Sequence, residues 1–235
     1  MAYLIVSETP AATGGHNSPT LLEGQYLGRT PPAGRKVNFI CTVGCPLPAP
    51  ACHDVLRTAI LDAIDLASNA DSKLNVNPRE QGTLNAFAEF FGHNPSVTWA
   101  PNIQAGAIVA RRFRKVAAAL RQRDTRYRCV STCPSLCDPP DPMVVCDLNL
   151  NALAILCENE VRLCPPFWLL PPFLKAGVIL HEMFHLCFGL TCAWFQHDGK
   201  ERKRNSAYCY QAFALRVKGH NPDLTTLNEC KAAKP

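Results

Sequence analysis

Two histidines and a glutamate have the types and spacing of a hydrolytic metal site. They form the pattern H-E-x-x-H at His181, Glu182 and His185. Residues four apart lie on the same face of a helix, so both imidazoles would project together. That separation suits two nitrogens bound to one Zn²⁺ at about 2.0–2.1 Å. Glu182 would then be placed to take a proton from a water that the metal activates.

The residues around this pattern have the periodicity of a buried helix. Apolar side chains recur at steps of four, three and four, at Ile179, Met183, Leu186 and Leu190. The alternative is a core helix with two hydrogen-bonded histidines and a solvated glutamate. Glu182 argues against that alternative, because a lone carboxylate among apolar residues is costly to bury unless it is paired or linked to a metal. We therefore favour a zinc site.

A zinc site in a hydrolase needs a third protein ligand and one open position. The metzincin extension is excluded, because its glycine and third histidine would fall at Phe188 and Thr191. A downstream glutamate is available at Glu201, but it lies in a charged run. We predict Asp198 as the third ligand, since the glycine after it would let the loop fold back towards the metal. His197 is the rival candidate.

Length and composition indicate a globular chain with one sizeable core. The chain has 235 residues, of which 47% are hydrophobic, and a net charge of +5. A charge this small does not by itself indicate a nucleic-acid partner. No apolar run is long enough for a membrane helix, and residues 1–6 lack the features of a Sec-type signal. We predict a loosely ordered N-terminal arm over 1–35 and a single domain over 36–235.

The thirteen cysteines are too many for a typical cytosolic protein. The odd count leaves at least one thiol outside intramolecular pairs. Four of them, Cys129, Cys133, Cys137 and Cys146, have spacings that fit no common zinc finger, so we predict disulfides or buried thiols rather than a second metal. Export by a route other than Sec and a reducing cytosol would each account for this content, so localisation stays open.

Periodicity predicts a mainly helical α+β fold with a small sheet before the H-E-x-x-H helix. Helices are expected from about Asp54, over a short segment ending at Gly92, over 103–122, over 207–218 and after Pro222. A short strand is expected at 36–41, and three more are expected at 127–131, 143–146 and 161–164, which we expect to form a small antiparallel sheet. The proline-rich segment 165–172 is expected to be a rigid connection to the motif helix.

The helix predicted at 103–122 carries a run of basic residues on the side away from its apolar stripe. These residues are Arg111, Arg112, Arg114, Lys115 and Arg121. A solvated helix face is favoured over a phosphate-binding surface, because no glycine-rich phosphate loop accompanies the run. We therefore predict no nucleic-acid partner.

Five segments together resemble the aspzincin metallopeptidases, which include the deuterolysins, the lysine-specific metalloendopeptidases and their bacterial relatives. The segments are 87–92 (F-A-E-F-F-G), 127–129 (Y-R-C), 163–168 (L-C-P-P-F-W), 178–186 and 205–213 (N-S-A-Y-C-Y-Q-A-F). They follow the family's order over roughly residues 50–218. H-E-x-x-H is generic, whereas the L-C-P-x-F-W strand end just before it is more telling.

This resemblance implies a zincin-like fold, with zinc held by two histidines and one aspartate. Carried over, His181, His185 and Asp198 are the ligands and Glu182 is the base. A family tyrosine steadies the oxyanion, and Tyr208 or Tyr210 would serve here. The chain departs from the family in the loop around Asp198. It also lacks the acid of the family's N-A-D segment at 205–207, so lysine specificity is not implied.

The resulting prediction is a zinc metalloendopeptidase that acts on a protein or peptide, with Glu182 as general base. The alternative is a catalytically silent, cysteine-rich docking module on a zincin scaffold. Delivery machinery or a cognate inhibitor are further candidate partners. No membrane partner is predicted.

Overall fold

The structure is a computed structural model of the chain. The structure describes residues 39–41, 49–122, 124–129, 151–155, 159–190 and 203–233. The predicted arm at 1–35 and the predicted strand at 143–146 lie outside these residues. None of the described helices is long and apolar enough to cross a membrane.

Helices make up most of the described chain, as the periodicity predicts. They are α1 (Ala49–Asn75), α2 (Gln81–Phe91), α3 (Ala105–Gln122), α4 (Pro165–Leu169), α5 (Pro172–Phe188), α6 (Ala207–Val217) and α7 (Leu224–Ala232). A 3-10 turn at Lys203–Asn205 precedes α6. The predicted end of α2 is confirmed, since Gly92 adopts a left-handed conformation with a φ of 75°.

The strands form a four-stranded sheet and a separate two-stranded one. They are β1 (Phe39–Cys41), β2 (Thr98–Ala100), β3 (Ile103–Gln104), β4 (Arg126–Cys129), β5 (Ala152–Ile155) and β6 (Glu160–Leu163). The larger sheet has the order β1-β4-β6-β5, and β2 pairs with β3.

The prediction of an antiparallel sheet is wrong for most of the larger sheet. β4 runs parallel to both β1 and β6, and only β5 and β6 pair antiparallel. The physical reason is connection length. Three helices separate β1 from β4, and such a long crossover lets strands pair in parallel, whereas a short link joins β5 to β6. β5, which the sequence did not predict, is an edge strand of this sheet.

The proline-rich segment before the motif helix, predicted as a rigid connection, is partly helical. Its first part forms the short helix α4, with prolines at its first two positions. Proline is tolerated there because the first amides of a helix have no partner within the helix. The chain then passes directly into α5, which begins with Pro172.

The helices pack around one hydrophobic core. α1 packs against α3 and α5, α5 against α6, and α6 against α2 and α7. Aromatic rings from four helices meet at the centre, at Phe87, Phe91, Phe113, Phe184, Tyr210 and Phe213. The predicted apolar stripe of α3 is buried in this core, including Val109 and Phe113.

One residue of the predicted basic face is not solvated. Arg112 is buried and donates to the Tyr210 hydroxyl and to the Arg204 backbone carbonyl, both at 2.6 Å. Its guanidinium also lies 5.6 Å from the centre of the Phe188 ring. Arg112 therefore joins α3 to the end of α5 and the start of α6. The sequence pattern did not predict this role, because a buried arginine cannot be told from its exposed neighbours by residue type and spacing.

Several cysteines are in disulfides, which the sequence analysis favoured over a second metal. Cys209 and Cys230 form a buried disulfide between α6 and α7. Cys129 and Cys164 each take part in a disulfide as well. Cys133, Cys137 and Cys146 lie outside the described residues.

Candidate active site

The H-E-x-x-H residues lie in the middle of α5, on a helix that is buried from Ala176 to His185. His181, Glu182 and His185 are 3%, 3% and 1% exposed. The Nε2 atoms of the two histidines are 2.9 Å apart. The prediction that both imidazoles leave one face of one helix is confirmed.

The other nitrogen of each ring faces an oxygen. His181 Nδ1 lies 3.1 Å from Gln211 Oε1, and His185 Nδ1 contacts the Leu190 carbonyl. An oxygen acceptor favours a proton on Nδ1, which leaves a lone pair on Nε2 in the neutral ring. Gly189, with a φ of 59°, ends α5 and turns the chain so that the Leu190 carbonyl reaches back to His185.

Two Nε2 lone pairs facing each other repel unless a cation lies between them. Two nitrogens bound at about 2.0–2.1 Å to one tetrahedral zinc lie about 3.3 Å apart. The observed separation of 2.9 Å is close to that value, so a small rotation of either ring admits the ion. Hydrogen bonds from Nδ1 to protein oxygens are the usual support of zinc-binding histidines. The two rings therefore fit a zinc ion.

Burial keeps both histidines in the neutral form that binds metals. It lowers the pKa of His185 to about 4, although the contact with Leu190 opposes this shift. Burial, reinforced by the neighbouring His185, lowers the pKa of His181 well below its usual range. Neither ring has to lose a proton at neutral pH before it binds a cation.

Glu182 lies on the side of α5 that contacts the edge strand β5. Burial raises the pKa of its carboxyl to about 8, and a hydrogen bond with the Ala154 backbone opposes the shift. A cation bound beside it would lower this pKa by favouring the charged carboxylate. A carboxyl group whose pKa lies near neutrality can both accept and return a proton.

A cavity of about 400 Å³ opens beside His181 and Glu182. Leu170, Leu174 and Val178 give it an apolar wall. Residues 223–226 also line the cavity, and Asp223 caps α7 by accepting from the Thr226 amide at 2.7 Å. This cavity is large enough to take a substrate side chain next to the candidate metal site.

The start of β5 also reaches this cavity, through Asn151 and Ala152. Among the described strands, β5 pairs only with β6. The Asn151 carbonyl accepts a hydrogen bond from the Cys164 amide across that pair. In an antiparallel pair the backbone groups of alternate residues face the partner strand, so those of Ala152 and Ala154 face away from β6. An edge of this kind can pair with an extended peptide.

The two tyrosines predicted as oxyanion donors have different surroundings. Tyr208 lines the cavity, and its ring centre lies 4.3 Å from that of His181. Tyr210 lies in the aromatic core, where its hydroxyl donates to the Arg204 carbonyl at 3.0 Å. The structure thus brings Tyr208 together with the H-E-x-x-H residues and does not bring Tyr210 there.

The predicted third ligand, Asp198, lies outside the described residues, as do its alternatives His197 and Glu201. Among the residues that the structure describes, no cluster of three or more His, Cys, Asp or Glu side chains is placed to hold a metal. Asp198, His197 and Glu201 belong to the segment 191–202, which connects Leu190 to Lys203. Asp198 stays a prediction.

Gln211 and the Leu190 carbonyl were missed by the sequence analysis, although both contact the histidines. Gln211 is three residues after Tyr208, so the two side chains share a face of α6. Residues Ala207 to Leu215 of α6 are all buried, and Gln211 is the only amide among them. A lone amide in a mostly apolar helix indicates a buried hydrogen bond, and this signal is available in the sequence. The role of the Leu190 carbonyl had no comparable signal, because it depends on the backbone turn at Gly189.

In comparisons with known proteins, no family model matches the chain and no curated protein is significantly similar to it.

Proposed function

We propose that this chain is a zinc-dependent endopeptidase. The observation that carries the proposal is the pair of buried imidazoles whose Nε2 atoms face each other, with Glu182 beside them at a cavity. The donor set of two neutral histidines suits zinc better than it suits magnesium or calcium, which prefer oxygen ligands. Asp198 is the proposed third ligand.

The proposed substrate is a peptide in extended conformation. It would pair with the outer edge of β5 through the backbone groups of Ala152, since the Ala154 backbone already bonds Glu182, and one side chain would enter the cavity. Leu170, Leu174 and Val178 would contact the apolar part of that side chain. A mixed sheet with one antiparallel edge strand beside an H-E-x-x-H helix supports a zincin-like fold of the aspzincin kind.

Each residue has a distinct task in the proposed reaction. A zinc ion held by His181 and His185 would supply a Lewis acid and lower the pKa of a bound water to about 7. Glu182 would take the proton of the attacking water and return it to the leaving amine. The Tyr208 hydroxyl would donate to the carbonyl oxygen of the substrate as that oxygen gains charge.

Replacing Glu182 with glutamine tests this proposal. The variant keeps the shape of the side chain and both histidines, so we expect stoichiometric zinc binding. Without a proton acceptor, hydrolysis of casein should fall by about 10²–10⁴-fold. The matched control is Glu80→Gln, because Glu80 is an exposed carboxylate paired with Lys73, and its loss should leave hydrolysis unchanged.

The experiment separates the proposal from its alternative. A Glu182→Gln variant that cleaves casein as fast as the parent would overturn the assignment of the base. A parent protein that binds zinc stoichiometrically but cleaves no unfolded substrate would instead favour the silent docking module.

A further inference from the structure

Gln211 is a buried amide of α6 at the wall of the cavity. It is 2% exposed and lies in α6 between the buried Tyr210 and Ala212. Burying an amide is costly unless its polar atoms are hydrogen-bonded. Its side-chain carbonyl oxygen lies 3.1 Å from Nδ1 of His181, across 30 residues of sequence.

The direction of this hydrogen bond decides which nitrogen of His181 carries the proton. With the amide oxygen towards the ring, Nδ1 donates and the lone pair is on Nε2, which faces His185. With the amide rotated by half a turn, the NH₂ group would donate to Nδ1 and the proton would move to Nε2. Only the first arrangement lets His181 bind a cation through Nε2.

Gly177 provides the space for this amide. A Cβ atom at position 177 would lie 3.1 Å from Gln211 Nε2 and 3.3 Å from Leu215 Cδ1. Both distances are shorter than ordinary van der Waals contact, so a side chain there would displace the amide. Glycine is unfavourable inside a helix, and the close approach of Gln211 accounts for its presence in α5.

We propose that Gln211 is a positioning residue that holds His181 in the orientation and tautomer required to bind zinc. The zinc part of this inference rests on the proposed function. The contact itself does not, since it joins the two side chains directly. Gln211 acts through His181 and takes no part in proton transfer.

Zinc affinity is the first test, measured on the full chain by competition with a chromophoric chelator. Gln211→Leu removes the acceptor at similar size and should weaken zinc binding by about 10–100-fold. Gln211→Glu restores an acceptor and should bind within a few-fold of the parent. Gln81→Leu is the control, because Gln81 is exposed and its side-chain amide donates to Asn85 on the surface of α2.

The second test measures the chemical shifts of the ring nitrogens of His181, which report which nitrogen carries the proton. It requires no zinc. In the metal-free protein labelled with ¹⁵N-histidine, His181 should carry its proton on Nδ1, and Gln211→Leu should shift it towards Nε2. Gly177→Ala should shift it in the same direction by displacing the amide. Gly82→Ala is the matched control, because nothing lies within 4 Å of a Cβ added there.

The outcomes distinguish this inference from the proposed function. A Gln211→Leu variant that binds zinc as tightly as the parent, or a parent His181 protonated on Nε2, would overturn the role of Gln211. If the parent binds no zinc while its tautomer still responds to Gln211→Leu and Gly177→Ala, the proposed function fails and the positioning of His181 by Gln211 stands.

Discussion

At the scale of single residues, spacing along the chain predicted that His181 and His185 share one helix face but not the contacts that support them. The four-residue step from His181 to His185 follows from helix geometry alone, so the sequence could predict it. Gln211 reaches His181 from another helix, so a lone amide in an apolar helix indicates a buried hydrogen bond but does not identify its partner. The tyrosines show the same limit, since the resemblance left Tyr208 and Tyr210 equivalent and only packing separates them.

Replacing each tyrosine with phenylalanine should have opposite consequences. Tyr208→Phe removes the proposed donor to the substrate oxygen, and kcat for peptide hydrolysis should fall by about 10²-fold. Tyr210→Phe removes a hydroxyl that bonds Arg112 and the Arg204 carbonyl. It should lower the free energy of unfolding by about 1–2 kcal/mol and leave kcat close to that of the parent.

Steady-state kinetics and urea unfolding of both variants check this prediction, each variant serving as the control for the other. An unchanged kcat in Tyr208→Phe would remove Tyr208 from the proposed mechanism.

At the scale of elements, the longer helices were predictable because each has an apolar stripe and recognisable ends, whereas the five-residue α4 was expected as a rigid connection. The direction of the strands was not, since β1, β4 and β6 are short and their pairing depends on the path of the chain between them. β5 was missed because Ala152–Ile155 has little alternation and few β-branched residues. This strand contacts Glu182 through Ala154, so an element important to the site was among the least predictable.

The disulfide between α6 and α7 should stabilise one wall of the cavity. α6 carries Tyr208 and Gln211, and the first turn of α7 contains cavity residues 224–226. Cys209 and Cys230 are 21 residues apart, and closing a loop of that length stabilises a fold by about 3 kcal/mol. The Cys209→Ser/Cys230→Ser variant should lose about this free energy of unfolding and show a severalfold higher KM.

The two single variants are the controls, measured by urea unfolding and by KM for a peptide substrate. Removing either sulfur breaks the bond, so each single variant should lose nearly as much stability as the double variant. Additive losses would show that the two side chains contribute by packing rather than through the disulfide.

At the scale of the whole molecule, one core joins the sheet, the motif helix and the C-terminal helices. Buried residues from Cys52 to Cys230 form a single hydrophobic cluster. Arg112 lies where α5 ends and α6 approaches, so it links the two ends of the segment that contains Asp198. The site is therefore built on elements fixed by the core, which favours precise placement of His181 and His185.

Zinc should stabilise the folded chain, because the two rings converge only in the folded state. At a free zinc concentration about 100-fold above Kd, the stabilisation would be about 2.7 kcal/mol, which raises Tm by several degrees. A chelator should reverse the increase. His181→Ala should abolish it, whereas His53→Ala, which changes an exposed histidine on α1, should keep it. Equal increases in Tm for both variants would place the zinc elsewhere.

The most direct measurement is an anomalous-difference map, recorded at the zinc edge from crystals grown with zinc. The proposed function predicts a strong peak between His181 and His185, about 2.0–2.1 Å from each Nε2, with the Asp198 carboxylate completing the protein ligands. A well-ordered zinc-containing crystal with no peak between these rings would contradict the account.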